Sequence, residues 1–481
     1  MEIFDKVLSG DFTTEVSMPD YEAEIRRLLH VSASLTEPEW YSGGGKIGMK
    51  GEILYSILYS GPDGELYETK AREGYDLAEA YKGDRLPDTV FCEAYPESLI
   101  SKVSAPRKLS LKCRIRATMK GFRENDIYEN LSYIENPASI ERLTDEAEYV
   151  RLMPPSSSGF IVEESFPYDS YDARIISSRA EIYPDSVEEG NGEATVNGTA
   201  HVTMLIKNGD EGISTREERI PIREFIPNDR IDRSSRCACR LTVNNCDAKI
   251  ENGEIFVEID AAAALFPAEL ATARYTKDLY STECESSITK KTFAHTKGDL
   301  PFLGSLSEDF KESIPDLENA RIVNIIPYAS IKGVTTENGK PYLTGDVALT
   351  LIYEKDGELA SHSLKWQFKY EIENRDGIKF DAAPTLLYSS VSVTSPKVKL
   401  DGDSVLSSCE LHFVGRLCSS SSFEALDTAT FGDEFPIEDG ITVCFKDPRA
   451  SLWETAKANH VKESSILQKN GNVEDESFFI I

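Results

Sequence analysis

Three stretches of the chain alternate apolar and polar residues with a period of two, and they do so in step. Residues 51–59 (GEILYSILY), 198–206 (GTAHVTMLI) and 345–353 (GDVALTLIY) begin 147 residues apart. Such alternation marks a strand buried on one face. The apolar stripe reads Ile53, Tyr55, Ile57, Tyr59 in the first stretch. In the second it reads Ala200, Val202, Met204, Ile206, and in the third Val347, Leu349, Leu351, Tyr353. These side chains are expected to point into three separate, equivalent cores.

The flanks keep the same step. Gly45, Gly192 and Gly339 precede the strand at one offset, the last two within Asn191-Gly192 and Asn338-Gly339. Asn-Gly between apolar runs predicts a tight hairpin, because both residues tolerate positive φ. Turn signals follow the strand at Gly61-Pro62-Asp63-Gly64, Asn208-Gly209 and Asp356-Gly357. Each unit therefore reads as a meander of three strands. An apolar-Pro pair opens each one (Met18-Pro19, Phe166-Pro167, Ile314-Pro315), and a late strand closes it at 109–119, 255–266 and 405–414. The period is too long for a solenoid, whose units run about 20–50 residues. Residues 137–153, 154–159 and 281–297 read as connectors, and 419–422 as the end of the third unit.

From residue 441 the pattern changes. Ile441 to Phe445 reads as a strand. Ser451 caps a predicted helix, with Glu454 three residues on as in a capping box. Leu452, Trp453, Ala456 and Val461 give that helix an apolar side, with Trp453 the expected anchor of a very small core. A second short helix over 464–469 and a final strand over 478–481 complete a βααβ unit. The expected fold is thus mainly β. Three tandem antiparallel sandwich- or barrel-like domains span 10–140, 155–290 and 300–435, and a small α+β domain spans 440–481.

Composition narrows the function classes. Lys+Arg number 52 against 83 Asp+Glu, a net charge of -31, and no basic patch stands out. Such a chain repels phosphate backbones, which argues against nucleic-acid binding. The longest apolar run, 261–266, is far short of the roughly 20 residues of a membrane span. The start shows no basic flank leading into an apolar stretch, so a protein kept in the cytoplasm is expected. The nine cysteines include no C-x-x-C pair. They read as reduced, mostly buried thiols.

No catalytic, cofactor or metal constellation emerges. Gly43-Gly44-Gly45-Lys46 lacks the first glycine and the Ser/Thr of a phosphate loop, and Gly45 aligns with two hairpin turns. The six histidines show no metal-ligand spacing. His201 aligns with Leu54 and Ala348, on the face opposite the core stripe. No G-x-S-x-G elbow and no D-x-D-x-D-G calcium loop is present. The chain is expected not to be an enzyme and to use no cofactor.

The C-terminal unit resembles a LysM domain. The likeness lies in its opening strand, Ser451-Leu452-Trp453 with Ala456-Lys457, Ile466-Leu467 before Asn470, and the apolar final strand. The usual Gly-Asp and Pro-Gly are replaced in the loops 446–450 and 475–477. The repeats resemble SPOCS domains through the strand at 51–59, the apolar-Pro openings and Lys277-Asp278-Leu279-Tyr280-Ser281. SPOCS-type units followed by LysM resemble the SipL-like family of spore coat morphogenetic proteins. That resemblance implies a scaffold in the mother-cell cytoplasm at the forespore surface. It further implies a protein partner, a SpoIVA-type coat ATPase, bound largely through the LysM-like unit. Peptidoglycan is the alternative ligand. The expected contact residues are Asp447, Arg449, Ser451, Lys457, Asn470 and Asn472.

Overall fold

The computed structural model describes every residue except 1, 84, 125–129, 132–136, 171, 210–211, 375–376, 379, 381–382, 437–442, 446–448, 472–477 and 481. Strands dominate. The first third contains β1 (Glu2–Ser17), β2 (Arg27–Leu35), β3 (Glu39–Gly43), β4 (Lys46–Ser60), β5 (Leu66–Ala80), β6 (Thr89–Ala105) and β7 (Lys108–Phe122). After β8 (Asn130–Leu131) come β9 (Ile140–Leu152), β10 (Ser156–Pro167), β11 (Ala173–Glu189), β12 (Glu193–Asn208), β13 (Gly212–Pro227), β14 (Arg236–Glu251) and β15 (Glu254–Ser281). The last third holds β16 (Cys284–Ser313), β17 (Arg321–Glu337), β18 (Lys340–Lys355), β19 (Glu358–Glu371), β20 (Thr385–Asp401) and β21 (Ser404–Glu434). The chain ends with β22 (Val443–Phe445), α1 (Leu452–Ala458), α2 (Glu463–Asn470) and β23 (Phe478–Ile480).

One topology occurs three times. A meander sheet has β4, β12 or β18 at its centre, flanked by β2 and β5, by β11 and β13, or by β17 and β19. The facing sheet pairs the first strand of the unit with the last: β1-β7-β6, β10-β15-β14 and β16-β21-β20. All these pairings are antiparallel. The turns follow from local chemistry. Gly45, Gly192 and Gly339 have φ of 73°, 82° and 78°, and Asn338 has φ of 51°. Those left-handed values are open to Gly and Asn at little cost.

The two sheets of each unit close on the alternating stripe of the central strand. Ile53, Tyr55, Ile57 and Tyr59 pack among side chains from β1, β5 and β7. Ala200, Val202, Met204 and Ile206 occupy the second core. Val347, Leu349 and Leu351 are fully buried in the third, with Tyr353 packed at its margin. Full burial of each large aliphatic contributes about 2 kcal/mol.

The cores are not the whole interior. Leu58, Leu205 and Ile352 point away from them, yet all three are buried in one cluster with Leu29, Ile176 and Val323. Each triplet is spaced 147 and 147 residues apart, so equivalent positions of the three units converge on a pseudo-threefold axis. Leu29, Ile176 and Val323 each sit at a register shift, within Leu28/His30, Ile175/Ser177 and Ile322/Asn324. A bulge re-aims the side chain that it displaces. Here the same bulge, made three times, turns one aliphatic group to the axis. A second plug joins Phe91, Phe266 and Tyr388, one from each unit. Phe266 stacks on Tyr388 at 3.9 Å, and Phe91 lies 5.8 Å from Phe266. The ring closes around the axis, since β5 contacts β11, β13 contacts β17 and β19 contacts β2.

Buried polar ties accompany the plugs. Arg240 Nε donates to Glu37 at 2.9 Å, joining the second unit to the first. Lys120 Nζ donates to the Leu386 carbonyl at 3.0 Å, joining the first to the third. Arg416 donates to the carbonyls of Arg236 and Phe266 at 2.7 and 2.9 Å and to Asp299 at 2.9 Å, joining the third to the second. Each cation has at least one hydrogen-bonded oxygen where it is buried, which offsets part of its desolvation, while Arg416 Nε has no partner among the described residues.

All three expected connectors are largely strand instead, residues 156–159 being the start of β10. Residues 140–152 form β9, which pairs with the far half of β15, and residues 284–297 open β16, which pairs with the far half of β21. Residues 419–422 lie inside β21. These segments are polar on one face, which reads as loop. The other face carries Ala147, Tyr275, Phe293 and Phe423, with Tyr275 stacked on Phe423 at 4.3 Å. Together they form a two-layered extension beyond the three units.

Candidate partner-binding site

The C-terminal unit sits on that extension. Ser451 is the N-cap of α1. Its Oγ accepts from the Glu454 backbone N–H at 3.2 Å, and the Ser451 N–H donates to Glu454 Oε2 at 2.7 Å. The cap fixes α1, and α1 presents Trp453 and Lys457 on one side, four residues apart. Both reach Asp278 in the far half of β15. Trp453 Nε1 donates to Oδ2 at 2.9 Å, and Lys457 Nζ donates to Oδ1 and Oδ2 at 2.7 and 2.8 Å. Burial alone would raise the Asp278 pKa, but these donors hold it below its ordinary value of 3.8.

Tyr280, two residues on and on the same face of the strand, completes the seat. Its ring meets Trp453 edge-on at 4.9 Å, and its hydroxyl donates to the Val461 carbonyl at 2.7 Å. Ala456, Ile466, Leu452, Val461 and Leu143 fill the rest of this small core. Lys462 Nζ donates to the Ala138 carbonyl at 2.9 Å. Trp453 therefore anchors the helical unit to β15 as well as packing within it.

The sequence-derived contact residues take different places. Lys457, expected as an exposed group, spends its charge on Asp278. Ser451 is engaged in the cap. Asn470 closes the unit: its amide donates to the Ile466 and Ile480 carbonyls at 2.8 and 2.9 Å and accepts from the Ile480 N–H at 2.7 Å. Arg449 is exposed. Asp447 and Asn472 lie outside the described residues. No family model, curated protein or solved structure matches the chain.

What remains open to a partner lies elsewhere on the unit. Val443 and Ile480 are directly opposite in the β22–β23 pair. Opposite residues share a face, and these are 51% and 38% exposed; Leu467 on α2 is 45% exposed. A cavity of about 290 Å³ adjoins the turn between the helices, lined by Thr282, His460, Lys462, Ser465 and Lys469. In a chain of net charge -31 this is a local concentration of amines and hydroxyls. The exposed aliphatics are visible in the sequence as part of the opening strand, the final apolar strand and Ile466-Leu467. Asp278 is not, because its role depends on a contact 175 residues away in sequence.

Proposed function

We propose that this chain is a non-enzymatic scaffold of the SipL-like type in spore coat assembly. It works in the mother-cell cytoplasm at the forespore surface, with the C-terminal LysM-like unit binding a SpoIVA-type coat protein. The observation that carries this reading is the seat of the terminal unit. It is fixed to the body through Asp278 and Tyr280, while Val443, Leu467 and Ile480 stay exposed. A unit held in one orientation presents its contact groups without first losing the freedom of a flexible tail, which favours binding. Three repeats offer further faces, so modest contacts add into avidity at a surface.

The test is localisation of a tagged copy in a sporulating cell. The intact chain is expected to form a shell around the developing spore. Leu467→Asp, a change at an exposed position, is expected to spread the signal through the cytosol with the protein still folded. A shell that survives both Leu467→Asp and removal of residues 441–481 refutes the role given to this unit. Diffuse signal from the intact chain refutes the reading as a whole.

A further inference from the structure

A second opening lies where the extension meets the first unit, well away from the helical unit in sequence. It is a half-open cavity of about 350 Å³. Its apolar wall includes Phe122 at the end of β7, Met153 after β9, Phe293 of β16 and Phe423 of β21. Phe122, Met153 and Phe293 are at most 9% exposed, so they form a floor. Charges of both signs stand at the rim, with Arg151 bridging Glu124 and Glu269.

The lining runs through consecutive residues. Every residue from 149 to 154 contributes, as does every residue from 293 to 296. Side chains of a strand alternate between its two faces. A cavity over a face would therefore touch every other residue; one that touches all of them lies along an edge. Among the described residues β9 pairs only with β15, which covers one of its edges. On the open side, the Leu152 carbonyl takes the Thr89 hydroxyl at 3.1 Å. Of that edge, the end of the ladder, residues 149–152, lines the cavity. Unpaired edges are templates for an added strand, whose backbone supplies affinity and whose alternate side chains supply specificity.

We propose that this cavity binds an extended peptide segment of a partner protein, added to the edge of β9 and inserting one aromatic or large aliphatic side chain against Met153 and Phe293. The continuous lining from 149 to 154 suits an added strand of about six residues. The net charge of -31 favours a segment with basic flanks, through long-range attraction.

The experiment pans short random peptides displayed on phage against the full-length protein, with Met153→Trp as a cavity-filled counterpart. Ala294→Trp fills the cavity from an exposed wall position and serves where Met153→Trp disturbs folding. Enriched peptides are expected to alternate apolar and polar residues, to carry Lys or Arg at their ends, and to bind each filled variant about tenfold more weakly. Proline or an N-methyl group at their centre is expected to abolish binding. Three results would overturn the proposal. One is enrichment of no peptide sensitive to the filled cavity. Another is binding that tolerates central proline. The third is saturable, filling-sensitive binding of anilinonaphthalene sulfonate with no peptide competing for it, which would mark a small-molecule site.

Discussion

His201 stands on β12 where the sister strands carry Leu54 and Ala348, and it is 3% exposed. Burial, reinforced by Arg219 and Arg179, pushes its pKa down from 6.5 to about 4. His30, near the first bulge, is held at about 4 by burial and Arg179. Glu217, 3.5 Å from His201, does not reverse the effect. Both imidazoles are therefore neutral in the folded protein at pH 5 and charged once it unfolds. Their contribution to stability is complete above pH 6.5 and is lost as the pH falls toward 4. For His201 alone the loss between pH 7 and pH 5 is about 2 kcal/mol. Replacing His201 by the residue of its first sister, His201→Leu, is expected to flatten the pH dependence by that amount. The check is urea unfolding of both proteins at pH 7 and pH 5, and equal slopes for the two would remove His201 from the account.

The seat of the helical unit depends on contacts between elements. Asp278→Asn keeps an acceptor for Trp453 but removes the charge opposite Lys457, in a partly buried pair. The expected cost is about 1–2 kcal/mol, taken from the docking of α1 and not from the three cores. Amide exchange in α1 is expected to quicken about tenfold, with exchange in β12 unchanged; equal protection of α1 in both proteins would refute the latch. The capping box at Ser451, the Asn-Gly turn before β18 and the central strands were legible in the sequence because each is written in neighbouring residues. The bulges were not, since a displaced residue is defined only by its partner strand. Strand β9 and the start of β16 were hidden because one face is polar and the apolar groups on the other become useful only when the two layers meet. Of the candidate contact residues, Ser451, Lys457 and Asn470 were drawn from a local pattern, and the structure gives all three internal partners. Leu58, Leu205 and Ile352 did carry a signal: an apolar residue on an otherwise outward face, repeated at the same step.

Those three residues decide how the molecule unfolds. If the units were beads on a string, each would melt on its own core, and a change in the second would leave the first and third untouched. The axis makes that arrangement costly: Leu58, Leu205 and Ile352 are each at most 2% exposed only because the other two units are present. Arg416 and Arg240 would also lose their partners across the unit boundaries. Each hydrogen bond so lost from a charged group costs about 1.5–3 kcal/mol. Unfolding of one unit thus destabilises its neighbours, and a single cooperative transition is expected over residues 2–434. Leu205→Ala opens a gap on the axis and is expected to cost about 2–4 kcal/mol. Met204→Ala, one residue away but in the core of the second unit, is expected to cost a similar amount. Differential scanning calorimetry separates the two pictures, because both variants are expected to shift the same transition as a whole. Several resolved transitions, with only one displaced by Leu205→Ala, would mean that the plugs are contacts between independently stable units and that the ring is held by the covalent chain alone.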